Sequence, residues 1–124
     1  MKTRFGFVSN SSSSSFVVVI EKDLFQNIIK NLDEYNKDIL EYLFDTNYFS
    51  NSIKIENKEI IIFNHVFHEE NYENNAPKKI KNIEIEDYYN FKKISEKSMS
   101  LFYEQINKLS PDQRKEVFFE SESY

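Results

Sequence analysis

The chain has 124 residues, no cysteine, one glycine and a formal charge of −5, so it fits one domain that buries about two-thirds of the surface its unfolded form would expose. Without cysteine there is no disulfide, no thiol nucleophile and no cysteine-ligated zinc. The acidic balance supplies no general basic field for phosphate backbones, so direct nucleic-acid binding is not expected, and twelve Phe and eight Tyr provide the apolar bulk of a core.

Lys2 and Arg4 open the chain, but the apolar stretch after them is cut by Ser9 to Ser15 before it reaches signal-peptide length. The runs Phe16–Ile20 and Ile60–Phe63 fall far short of a membrane span. A cytoplasmic protein without membrane contact is the expectation. Residues 1–15 read as a serine-rich arm or turn and 16–124 as a single domain. Phe16-Val17-Val18-Val19-Ile20 is continuous and β-branched, the pattern of a central strand covered on both faces. Asp23 offers an N-cap for Leu24, Ile28, Leu32, Tyr35, Ile39 and Tyr42, whose spacing predicts an amphipathic helix of about five turns. The polar stretch Asn31 to Asn36 is weakly helical, so two shorter helices are the alternative.

Ser52 to Glu56 alternates around Ile53 and Ile55, Glu59 to Val66 carries Ile60, Ile61, Ile62 and Phe63, and Asn57-Lys58 between them can form the tight turn of a β-hairpin. Phe67 to Pro77 is polar and predicts an exposed loop, after which Ile80, Ile83 and Ile85 suit an edge strand. Ser95 is placed as the cap of a helix whose stripe is Met99, Phe102, Tyr103, Ile106 and Leu109. Ser110-Pro111-Asp112-Gln113 is a capping box with proline at the first helical position, opening a last helix through about Glu120. The order β-α-β-β-β-α-α predicts an α+β two-layer domain, a small mostly antiparallel sheet packed by two or three helices.

Catalytic chemistry has little to work with. His65 and His68 are the only imidazoles, and Glu69 and Glu70 are the nearest further ligands, without a characteristic metal spacing. A serine nucleophile lacks its elbow, because Gly6 is the only glycine and G-x-S-x-G is absent. The serine-rich turn retains a weaker capacity, binding an anion through Arg4, Ser11 and Ser12. Neither a metal nor a cofactor is expected. Carboxylate pairs such as Glu41 with Asp45 read as solvated surface. Tyr88 and Tyr89, and the pair Tyr48-Phe49, offer aromatic area with polar tips for an interface.

The string Met1-Lys2-Thr3-Arg4-Phe5-Gly6-Phe7-Val8-Ser9-Asn10, continued by Ser11 to Ser15 and Phe16, resembles the opening of many uncharacterised small proteins of bacteriophages and other mobile elements. It covers about sixteen residues and stands ahead of varied downstream sequences, so it implies provenance and carries no catalytic residues. The resemblance implies an accessory protein in the host cytoplasm that binds and inhibits a host protein or nucleoprotein complex, in its sharpest form an anti-CRISPR-like inhibitor. Glu69, Glu70 and Glu73 are the expected acidic contacts, competing for a basic channel by steric and charge occlusion, with Tyr88 and Tyr89 beside them. The alternatives are a nucleotide-binding sponge and a small hydrolase or transferase using His65 and His68.

Overall fold

A β-branched run flanked by polar residues extends readily, and here it extends further than its apolar part. The computed structural model describes residues 13–68 and 76–123, and within them β1 spans Ser14–Glu21, taking Ser14 and Ser15 out of the expected arm. Helix α1 (Lys22–Ile29) follows directly, then α2 (Glu34–Leu43), the hairpin of β2 (Ser50–Ile55) and β3 (Lys58–Phe67), and a short ribbon of β4 (Lys79–Ile80) and β5 (Ile83–Glu84). Helix α3 (Tyr88–Ile106), the single turn α4 (Pro111–Arg114) and β6 (Phe118–Ser123) complete the described chain.

The main sheet has the order β2-β3-β1-β6, antiparallel throughout, with three helices on one face. This is the expected α+β two-layer architecture. Strand β1 is central as predicted, but its two faces are unequally buried among the described residues: Ser14, Phe16, Val18 and Ile20 are buried, whereas Ser15, Val17, Val19 and Glu21 are only half-buried. The inner residues of β1, β3 and β6 meet Leu24, Phe25, Ile28 and Ile29 of α1, Ile39, Leu40 and Leu43 of α2, and Phe91, Met99, Phe102 and Ile106 of α3 in one cluster. Aromatic rings hold its centre, Phe25 stacking on Phe44 at 4.5 Å and Phe44 on Phe63 at 5.1 Å. Each fully enclosed Phe contributes about 1.5–3 kcal/mol from burial.

Several boundaries move for local reasons. The five-turn helix is two, because the polar stretch folds as a cap: Asp33 accepts from the Asn36 amide at 3.4 Å and from its side chain at 2.7 Å, starting α2 afresh. Asn36 is buried and also accepts from Ser98 at 2.8 Å, which ties α2 to α3. Glu21, not Asp23, holds the N-cap position of α1, and no side chain caps it. The hairpin turns one residue early, at Glu56-Asn57, with Glu56 at φ 58°. Ile80 and Ile83 form a separate two-stranded ribbon and do not join the main sheet, their tight turn placing Lys81 at φ 52°.

Asp87 caps α3 by accepting from the Asn90 amide at 2.8 Å, so Ser95 lies inside the helix, fully buried, its hydroxyl without a partner among the described residues. Ser110 caps α4 as read, its hydroxyl accepting from the Gln113 amide at 3.3 Å, although the Gln113 side chain meets that hydroxyl at 3.4 Å and not the Ser110 amide, and α4 stops at Arg114. The residues expected to extend it become β6, which pairs with β1 from Ser14↔Ser123 to Val19↔Phe118. Glu and Ser give this segment no strand propensity; its place is set by Phe119, wholly buried against Phe16 at 6.4 Å and Phe102 at 6.2 Å. Among the described residues no helix is long and apolar enough to cross a membrane.

Candidate functional site

Strand register fixes what the second face of the sheet presents, because residues directly opposed across an antiparallel pair share a face. On that outer face Ile53, Ile60 and Glu21 form one row, and Asn51, Ile62, Val19 and Phe118 form the next. Asn64, Val17 and Glu120 follow, then Val66, Ser15 and Glu122. An apolar band therefore crosses all four strands. Ile53, Ile55 and Phe118 are 48%, 57% and 42% exposed, and Val17, Val19, Ile60 and Ile62 neither belong to the core cluster nor pack against it. A monomer seldom leaves a large contiguous apolar patch in water without a use for it.

The charges around the band are unequal. At one end Lys58 pairs with Glu21 at 3.7 Å, so that corner is balanced. Across the sheet Glu120 and Glu122 stand side by side on β6, and among the described residues neither has an ion pair. Their carboxylates give the apolar band one negative border. The surface is suited to a partner that buries aliphatic side chains against the band and sets basic groups opposite β6.

The residues singled out from sequence are dispersed. Glu69, Glu70 and Glu73, and Arg4, Ser11 and Ser12, lie outside the described residues. Tyr88 sits in the first turn of α3, half-buried; burial raises its hydroxyl pKa, with the His68 backbone a smaller, opposing influence. Tyr89 is 46% exposed with the Lys93 ammonium 5.2 Å from its ring centre. Tyr48 is exposed and stacks on Tyr42 at 5.0 Å, while Phe49 packs on the core. His65 points inward, its ring edge-on to Phe67 at 4.5 Å and to Phe49 at 4.9 Å. Burial pushes its imidazole down to about 4, with the charge of His68 a lesser cause, so His65 is neutral at pH 7. Among the described residues no three His, Asp or Glu side chains gather into a metal-binding group.

Two other polar assemblies were not foreseen. Ser14 donates to Glu96, which also accepts from Lys92 at 3.1 Å. Serine, lysine and carboxylate in contact resemble catalytic groups, but here they are enclosed: Ser14 is wholly buried and Lys92 is 5% exposed. The cluster anchors α3 to the start of β1. Beside α2 and the ribbon lies a cleft of about 580 Å³, floored by Phe25, Phe44, Ile61 and Ile80. Its ionic groups largely neutralise one another: Lys81 meets Asp38 at 3.0 Å and Glu41 at 3.1 Å, and Lys22 meets Glu59 at 3.8 Å.

Comparison with known proteins finds no matching family model, no matching curated protein and no matching solved structure. The outer face thus stands on its geometry. A signal for it did exist in the sequence: Phe16 to Ile20 and Ile60 to Phe63 are apolar at both parities, which in a two-layer fold leaves half of each run without cover.

Proposed function

We propose that this chain is a protein-binding accessory factor that acts by occluding a surface of its partner, with the outer face of the four-stranded sheet as the contact. The observation that carries this reading is the apolar band of Val17, Val19, Ile53, Ile60, Ile62 and Phe118, left outside the core and bordered by Glu120 and Glu122, which have no ion pair among the described residues. The partner it fits presents aliphatic side chains next to Lys or Arg. A basic groove on a host nucleoprotein complex has that chemistry, and the phage-like opening of the chain supports an inhibitor of such a complex, anti-CRISPR-like in its narrowest form.

The mechanism needs no reaction. Burial of the band supplies the affinity, while the two glutamates orient the approach and favour a basic partner over an acidic one. The contact differs from the one expected from sequence, which centred on Glu69, Glu70 and Glu73. Affinity capture from bacterial lysate, using the chain and its Glu120→Lys/Glu122→Lys variant as parallel baits, tests the reading. A basic protein enriched by the first and lost from the second supports it; equal recovery by both baits removes the outer face from consideration.

A further inference from the structure

Strand β2 is the one strand of the main sheet whose residues are exposed on both faces: after Ser50, every position from Asn51 to Ile55 is exposed. Among the described residues it pairs with β3 alone. An edge of this kind is normally guarded by proline, a bulge or inward-pointing charges. Here the guard is a single lysine, Lys54, in the sequence Ser-Asn-Ser-Ile-Lys-Ile.

The hairpin determines which backbone groups remain open. Ile55 and Lys58 flank a two-residue turn, so they form a hydrogen-bonded pair, and Ile53 and Asn51 repeat that pairing at intervals of two. The N–H and C=O groups of Ser50, Ser52 and Lys54 therefore point away from β3. The Ser50 amide is already taken, donating to the Asp45 carbonyl at 3.2 Å. Ser52 and Lys54 are left as the open stretch of the edge.

We propose that this edge pairs with β2 of a second copy of the chain, antiparallel about a two-fold axis through Ile53. In that register Ser52 of each copy opposes Lys54 of the other, which matches the open N–H and C=O groups in hydrogen-bonded pairs. Ile53 meets its own symmetry mate, and Asn51 meets Ile55, in non-hydrogen-bonded pairs, where side chains approach more closely. No like charges are opposed. The contact is isologous and closes at two copies.

The opposite edge of the sheet does not offer this match. Two β6 strands centred on Glu120 set that glutamate against itself, and centred on Ser121 they set Glu120 against Glu122, each a like-charge pair. The chemistry thus selects β2 as the homotypic edge and leaves β6 for a basic partner. The product is one eight-stranded sheet whose outer apolar band runs through Ile53 and Ile55 across the axis. The dimer stands independently of the proposed partner binding.

The absence of cysteine from the chain makes a clean probe possible. The intact protein is run by size exclusion with light scattering at concentrations up to about 500 μM, since a dimer is favoured by mass action. Twice the 14.9 kDa chain mass is expected, falling to the single-chain mass for Ile53→Lys. Ile53 is 48% exposed, so that variant keeps its fold, which circular dichroism checks. Mild oxidation of Ile53→Cys should join two chains at the axis much faster than oxidation of Lys54→Cys, whose position faces Ser52. A single-chain mass at every concentration overturns the proposal. So does a double mass that survives Ile53→Lys, or equal cross-linking at both positions. Because this test reads chain mass and cross-linking, whereas partner binding is read from capture by the Glu120→Lys/Glu122→Lys bait with Ile53 intact, failure here leaves the partner-binding reading standing, and the reverse also holds.

Discussion

His65 turns the inner face of the sheet into a source of pH-dependent stability. Its ring is edge-on to Phe67 and Phe49, and burial lowers its folded pKa from 6.5 to about 4. A lowered folded pKa means that the unfolded chain takes up the proton first. The stabilisation is complete above pH 6.5 and is lost as pH falls toward the folded value. Linkage sets a ceiling of about 1.8 kcal/mol on the loss between pH 7 and pH 5, and a half-buried ring, still partly screened by water, gives about 1 kcal/mol. Urea unfolding followed at 222 nm at both pH values measures it. Because surface carboxylates also titrate, the informative quantity is the difference between the natural chain and His65→Phe, which keeps a ring between Phe49 and Phe67 without the proton. The natural chain should lose about 1 kcal/mol more than the variant; identical losses would refute the buried, neutral imidazole.

Two further substitutions examine the packing around it. Glu96→Ala strands the Lys92 ammonium and the Ser14 hydroxyl inside the protein, and should cost about 3–5 kcal/mol in urea unfolding. The pair Lys92→Met/Glu96→Leu should recover most of that loss, and a double variant no better than the single would contradict the assignment of the cost to an unpaired charge. On β6, Phe119→Ala should cost about 3–5 kcal/mol, whereas Phe118→Ser should stay within about 0.5 kcal/mol, since Phe119 is wholly buried and Phe118 is 42% exposed. Similar losses at both positions would show that the inward and outward residues of β6 are misassigned.

The parts of the fold legible in the sequence were those where local chemistry and tertiary structure agree. The alternation through Ile53 and Ile55, the β-branched runs and the Ser110 cap each specify their element with residues close along the chain, and each formed. Strand β6 was illegible because its affinity for the sheet resides in one buried ring, Phe119, while Glu120 and Glu122 carry no strand preference of their own. The break between α1 and α2 had a visible polar signal, but its use depends on a distant group, since Asn36 serves both Asp33 and Ser98. The candidate site was hidden for a related reason. Periodicity shows that β1 and β3 are apolar on both sides; only the placement of three helices on one face reveals that the other side has no described helix over it.

Partner recognition by the outer face is the central claim, and calorimetric titration of the captured partner into three versions of the chain tests it most directly. The natural chain should bind. Glu120→Lys/Glu122→Lys should weaken binding by at least about tenfold, or about 1.4 kcal/mol, without change in thermal melting. The Glu69→Ala/Glu70→Ala/Glu73→Ala chain should bind as the natural one does. Loss of binding on removing the three loop glutamates, with the β6 reversal harmless, would contradict the account and return the interface to the acidic stretch after β3.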